Sequence, residues 1–496
     1  MRARLAGLGL AASLAAVVAG MWAGAAGAAI TAVNCAPFGS DNLQTKINAA
    51  SPGDTLSIRG TCSGTFTVSK NLTLQGSPSA TLNAQGTGQT VMIPTGKTVS
   101  LANLTITGGH ATGMGASGSG GGIFSFQATL TLTNCLVTGN TADAAGGGIS
   151  SGTNGISQAG MLTLNSTTVS NNVAVNGGAG GILNHNGTAV IDDSRVTGNL
   201  APGGGGIANG NGSGGGGGGT LTVIDSTISG NVANGGPDGG AGGIANGGAL
   251  TMTGSLVSNN SAVGGAGGGI FNHGTATIAS SQISSNFAPD DALGDQGAGG
   301  GIANFGFGLP GSGILMITDS LVTKNQSGAG GGIANGDAGG DASTTIVGST
   351  ISLNSVKGPQ SVGGGIGQIA GSDTASLSVS DSTLVGNQAR QGLGGAIGSL
   401  SVGGTATVSV DASAIGSTRI SPPYSLNPNV AAFGGGIFNG ALGGPASLTL
   451  DSSVAIVGDQ ALVDGGGVFN ANGAGFTQGG AKILLNRPDN VASGGF

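Results

Sequence analysis

Few residues of this chain could do chemistry. All 20 of its acidic residues are Asp, so any carboxylate pair is Asp with Asp. The densest grouping is Asp192 and Asp193, with Arg195 just beyond and Asp225 in the matching slot of the next repeat. Carboxylates on neighbouring turns of a stacked chain suit a hard cation, which takes several oxygens. Asp290, Asp291 and Asp295 form a second, local group of that kind. Calcium is the one cofactor such groups fit. The chain lacks the Gly-Gly-x-Gly-x-Asp nonapeptide that binds calcium in β-rolls, and no cofactor is expected. Asp193, Asp225, Asp319 and Asp381 share one repeat slot with Ser, Asn and Gly. That interchange marks residues that bond their own backbone in a turn, so a corner role is expected of them. His185 and His273 share another slot, three repeats apart. At about 4.8 Å per rung they stand roughly 14 Å from each other, too far to share a metal. His110 is placed in a loop, and no Ser, His and acid triad emerges from the spacing.

What positions these residues is a repeat. Gly is 109 of 496 residues, about three times the usual share. A Gly-Gly-Gly-Ile motif, or a near variant, recurs twelve times, its aliphatic ends running from Ile123, Ile149 and Ile182 to Ile437 and Val468. A spacing of 25 to 40 residues marks a solenoid. Between copies an Asn recurs nine times, from Asn140 to Asn387. Aliphatic residues stand three and eight positions before it, as Val137 and Leu132 do before Asn140. Alternation around those positions describes a strand with one buried face. Five before the Asn stands a small residue: Cys135 first, then Thr167, Ser194 and Ser226. Cys135 is therefore expected to pack, not to react. After eight of the twelve glycine runs an Asn follows the aliphatic residue, from Asn184 to Asn470.

These patterns predict an all-β fold, a right-handed parallel β-helix solenoid with three short strands per coil and a short N-terminal capping helix. One repeat cannot bury its apolar face alone, and stacking makes one continuous core. Asparagines in register then form hydrogen-bonded ladders, and glycines serve corners that need positive φ. The asparagine motif is expected to lapse after Asp411, with Thr418 last in its slot. Outward Thr recurs from Thr131 and Thr163 to Thr345, a row that could order water, broken by Val190, Met316 and Ser378. Phe271, Phe305, Phe438 and Phe469 follow the glycine motif and are expected to pack beneath loops.

The chain divides into residues 1–28, a signal peptide; 29–110, an N-terminal cap and first coils; 111–480, the glycine-rich repeats; and 481–496, a C-terminal cap or tail. Arg2 and Arg4, an apolar run from Leu5 to Met21 and the Ala26-Gly27-Ala28 site carry the signal assignment. An exported chain can keep a disulfide, and Cys35 is expected to pair with Cys62. Asp41 is placed as the cap of a helix carrying Leu43, Ile47 and Ala50, which would plug the open end of the core. No later run reaches about 18 apolar residues, so no membrane-spanning segment is expected after signal removal. The formal charge of −7 argues against nucleic acid or an anionic membrane as partner.

The run Ile47-Asn48-Ala49-Ala50-Ser51-Pro52-Gly53-Asp54-Thr55-Leu56, ending in Leu72-Thr73-Leu74-Gln75-Gly76, resembles the first coil of pectate-lyase-like β-helix proteins. The repeats resemble those of polymorphic outer-membrane proteins, which pair a Gly-Gly-small-aliphatic motif with Phe-x-x-Asn. Here Val, Ile or Leu replaces the Phe. The resemblance spans residues 35–470 and implies the fold; such folds host lyases, hydrolases, adhesins and inert surface proteins. Lyases of this fold use a calcium cluster of carboxylates with a basic residue as proton acceptor, which would here be Asp192, Asp193 and Asp225 with Arg195. The hydrolases set His-Gly and Arg-x-Lys companions beside their aspartates, and no matching companions accompany the Asp-Asp pairs 192–193 and 290–291 here. The expectation is a secreted or cell-surface, non-catalytic rod, adhesin-like or structural, with glycans or cell-surface components as partners. The alternative is an extracellular polysaccharide lyase or hydrolase.

Overall fold

The structure, a computed structural model, describes residues 28–152, 160–210, 218–235, 240–289, 297–308, 313–359, 361–416 and 427–495. Residues 1–27, Thr418 and the Asp290, Asp291 and Asp295 group lie outside the described residues.

One repeat shows how the sequence makes a coil. In the strand Ile123–Phe126, Ile123 and Ser125 are buried while Phe124 and Phe126 point outward. Gln127, at φ 49°, turns the chain into Thr129–Thr133, where Leu130 and Leu132 are buried. Asn134, at φ 51°, bends it into Leu136–Thr138. Gly139, at φ 64°, bends it again into the two-residue strand Thr141–Ala142. A glycine-rich return then leads to Ile149–Gly152, and the pattern restarts.

Every strand pairs in parallel with its counterpart in the next coil, Leu132 beside Leu164 and Ile149 beside Ile182. Three sheets of 28, 15 and 12 strands result among the described residues. The largest bends at the Asn134 corner, so most coils give it two strands. This is the parallel β-helix that the sequence predicts. Some fourteen coils at about 4.8 Å each make a rod of roughly 65 Å. The strand Thr141–Ala142 and its copies are an addition to the sequence pattern; their small residues, such as Ala142, Ala174 and Ala201, are buried.

The core is a stack of aliphatic columns in one cluster that reaches from Val33 to Ile483. Ile123, Ile149, Ile182 and Ile207 are all 0% exposed, and each such side chain contributes about 1.5–3 kcal/mol by burial. The corners are polar and mostly hydrogen-bonded, with Asn184 Oδ1, Asn439 Oδ1 and Asp459 Oδ2 left without a partner. Asn140 donates both its backbone N–H and its Nδ2 to Asn172 Oδ1, each at 3.0 Å. Asn172 Nδ2 in turn donates back to Val137 O at 3.0 Å. A second ladder joins Asn184, Asn209, Asn246 and Asn272 by 2.7 Å amide contacts. A third runs through the Cys135 slot, where each backbone N–H finds the next hydroxyl, as Ser194 finds Ser226 at 2.9 Å. Cys135 is buried there with its Sγ 3.4 Å from Leu101 O and Thr133 O, and burial pushes its thiol pKa up. The glycine motif closes the opposite corner. Gly267 takes φ 79°, while a Cβ on Gly268 or Gly269 would strike the backbone of the next coil.

Two expectations are corrected. The asparagine ladder does not lapse after Asp411. Asn387 passes to Asn429 at 3.1 Å, then to Asp459 at 3.0 Å, then to Asn486 at 2.8 Å. Residues 417–428 are inserted directly before the ladder residue, and Asp then stands in for Asn, so the spacing hid both. The tail continues the stack: Lys482–Leu484 pairs with Ala455–Val457, and Val491–Gly494 with Val468–Ala471. Asn42, not Asp41, caps the helix Leu43–Ala49, accepting from Thr45 N at 2.9 Å. Asp41 instead accepts from Asn34 N and pairs with Lys46 at 3.3 Å. Leu43, Ile47 and Ala50 are buried against the first coil, and Cys35 is bonded to Cys62 with Cα atoms 5.1 Å apart. Among the described residues no helix is long and apolar enough to cross a membrane.

Candidate functional site

The acidic set read from the sequence sits on corners. Asp193 and Asp225 occupy the same exposed corner on adjacent rungs at φ 44° and 46°. Asp319 and Asp381 repeat it at 47° and 50°. Asn, Asp and Gly are the residues that tolerate this left-handed conformation, which accounts for the interchange within the slot. Asp193 Oδ2 accepts from Ser166 Oγ at 2.8 Å. Asp192 ends the strand Thr188–Asp192, half-buried between Asn165 and Ile224 of the flanking coils. Arg195 opens the next strand, exposed, between Thr168 and Thr227. Among the described residues, no three His, Cys, Asp or Glu side chains converge to hold a metal.

The histidines also fall into place. His185 and His273 lie three rungs apart, as the spacing requires. His273 packs against Phe271 and Phe307 with centroids 5.3 and 5.8 Å away, and desolvation lowers its pKa. Phe271, Phe438 and Phe469 are buried and Phe305 half-buried. His110 lies on a short strand, not in a loop, paired with Thr141, and its Nε2 is 3.4 Å from Asp143 Oδ1. The outward Thr row is one continuous column, with Val190, Met316 and Ser378 in it.

Sequence reasoning missed a groove on the surface. A groove of about 450 Å³ opens over the outward face of the glycine-side sheet. Phe124 and Phe126 lie in its floor, ring centroids 6.0 Å apart and only 9° from parallel. Ser150 and Gly152 continue the floor on the next coil, and Leu183 and His185 on the one after.

One wall is the loop of residues 113–116, with Met114 90% exposed at its tip. Gly113 and Gly115 take φ 101° and 63°, which lets the loop fold tightly. Asp143 Oδ2 accepts from Gly113 N at 2.9 Å, and Gln89 Nε2 donates to Ala116 O and Ser119 O. The wall is therefore tied down from two sides. Asp143, Ala145 and Asn176 continue the same wall onto the next two coils, with Asn176 Nδ2 donating to Asp143 O at 2.9 Å. Chemically this sets two mutually stacked Phe rings beside a carboxylate, an amide and an imidazole, within the size range of small-ligand sites. The signal was present: of the twelve glycine motifs, only Gly-Gly-Gly-Ile-Phe-Ser-Phe puts a Phe at both outward positions.

No known family profile matches the chain, and no curated protein matches its sequence. Among solved structures it is similar to the Dettilon tailspike protein, with TM-score 0.34 and 12% identity over 93% of this chain and 68% of that one. An alginate lyase from Paenibacillus sp. str. FPU-7 has TM-score 0.26 and 14% identity over 69% of this chain and 100% of its own. Pectate lyase Pel9A has TM-score 0.27 and 12% identity over 80% and 82%.

Proposed function

We propose that this chain is an exported, non-catalytic β-helix rod, adhesin-like, that binds carbohydrate in the groove over Phe124 and Phe126. The observation that carries it is the parallel ring pair in the floor of a walled groove, edged by hydrogen-bonding groups. A sugar offers an apolar C–H face to such rings and hydroxyls to such edges. The basic-then-apolar leader at residues 1–28 and the Cys35–Cys62 bond support export to an oxidising compartment. The corner geometry of Asp193 and Asp225 supports a structural role for both.

A glycan array probed with the full mature chain tests this. Binding to at least one glycan, lost in the Phe124→Ala/Phe126→Ala variant with the fold intact by circular dichroism, is expected. Binding that survives the double substitution refutes the groove assignment.

A second reading, an extracellular polysaccharide lyase or hydrolase, is favoured by the 3.4 Å contact of His110 with Asp143, which puts an acid and a base beside the platform. Release of unsaturated or reducing ends from a polysaccharide panel, abolished in Asp143→Asn and His110→Gln, would establish it.

A further inference from the structure

Resting on the carbohydrate reading of this groove, we infer that it takes an uncharged oligosaccharide laid along the rod axis and discriminates against polyuronates. The floor is two columns of outward positions crossed by three coils. Phe124 and Phe126 form the first row, Ser150 and Gly152 the second, Leu183 and His185 the third. At about 4.8 Å per rung, the first row lies about 10 Å from the third. The floor is thus high and aromatic at one end, low in the middle, and aliphatic with an imidazole at the other.

A sugar stacked on the Phe rings leads its chain along the axis, over the low middle row, to Leu183 and His185. A chain running along the strands instead would leave the platform after two rings. Gly152 keeps the middle row low, and it cannot be replaced: it holds φ 123°, and a Cβ would meet the backbone of His185.

Charge sets the class of sugar. Among the described residues the lining holds one carboxylate, Asp143, and no Lys or Arg. Asp143 is fixed in place by Gly113 N and faced by His110. The chain as a whole carries −7. A polyuronate has a carboxylate on every ring and would meet no cation in this groove. One close like-charge pair is worth roughly fivefold in binding even in bulk water, and more at a protein surface. A neutral chain escapes that penalty and still finds the amide of Asn176 and the ring of His185.

The test is calorimetric titration of the full mature chain with cello-, manno- and N-acetylated chito-oligosaccharides of increasing length, alongside oligogalacturonate and oligomannuronate. At least one neutral series is expected to bind, with affinity rising to about three sugars and then levelling. The acidic series is expected to bind at least about fivefold more weakly, and Asp143→Asn, which keeps an acceptor for Gly113 N, to narrow that gap. His185→Ala is expected to weaken the three-sugar ligand and leave the single sugar unchanged. An acidic series that binds as well as the neutral ones, yet is lost in Phe124→Ala/Phe126→Ala, overturns this inference and leaves the carbohydrate reading standing. Failure of every series to bind overturns both.

Discussion

Asp459 breaks the asparagine ladder at one atom. Its Oδ1 does what an amide oxygen does in other coils, accepting from Asn429 N and Nδ2, both at 3.0 Å. Its Oδ2 stands where the amide nitrogen belongs, buried and without a hydrogen-bond partner. Full burial raises the pKa from 3.8 to about 8, against the smaller opposing pull of the Asn429 hydrogen bonds. An acid whose folded pKa is raised binds its proton more tightly folded than unfolded. Its stabilising contribution is therefore complete below the unfolded pKa and is lost as pH rises from about 4 to about 8. At about 1.4 kcal/mol per unit, that window amounts to roughly 6 kcal/mol. Asp459→Asn restores the missing donor and removes the titration. The assay is denaturant unfolding by circular dichroism for both proteins at about pH 4 and about pH 9. The variant's advantage is expected to grow by several kcal/mol between the two. Subtracting the parent removes the titration of every other carboxylate. An advantage that stays constant across the window, or shrinks, refutes the assignment of a protonated acid to this slot.

Other perturbations have definite expected outcomes. Ile278→Ala opens a cavity in a column that is 0% exposed and is expected to destabilise by about 2–5 kcal/mol in denaturant unfolding. Asn260→Ala strands the donors of Asn231 and is expected to cost about 1–3 kcal/mol or more. At Asp193, held at φ 44°, Gly is expected to be tolerated and Val to destabilise by about 1 kcal/mol or more, while glycan binding is unchanged by either. Cys35 and Cys62 close a loop with a sequence separation of 27, so replacing both with Ser is expected to lower stability by about 3–4 kcal/mol.

Most of the fold was legible because each slot is fixed by a local demand that repeats. Val137, Val169 and Val196 must be apolar because they face one core, and Asn140, Asn172 and Asn199 must pair because they share one corner. Asp193 betrayed its role by exchanging with Ser, Asn and Gly, which only a turn permits. Legibility failed where one position departed from its column. Asp459 changed the letter but kept the shape, and the preceding insert displaced Asn429 from its aliphatic partner. The helix cap was misplaced by one residue because Asp41 and Asn42 both accept backbone N–H groups well. The groove failed for a different reason. Phe124 and Phe126 acquire meaning only when residues 113–116, Asp143 and His185 are brought around them, and those contacts span three coils.

The central claim is that carbohydrate binds at the Phe124 and Phe126 platform. Hydrogen–deuterium exchange of the full mature chain, with and without a glycan that binds it, tests this most directly. Protection confined to the amides of residues 113–119, 123–126, 150–152 and 183–185 is the predicted result. Protection on the Thr and Ser columns of the large sheet, with the groove amides unchanged, would contradict it.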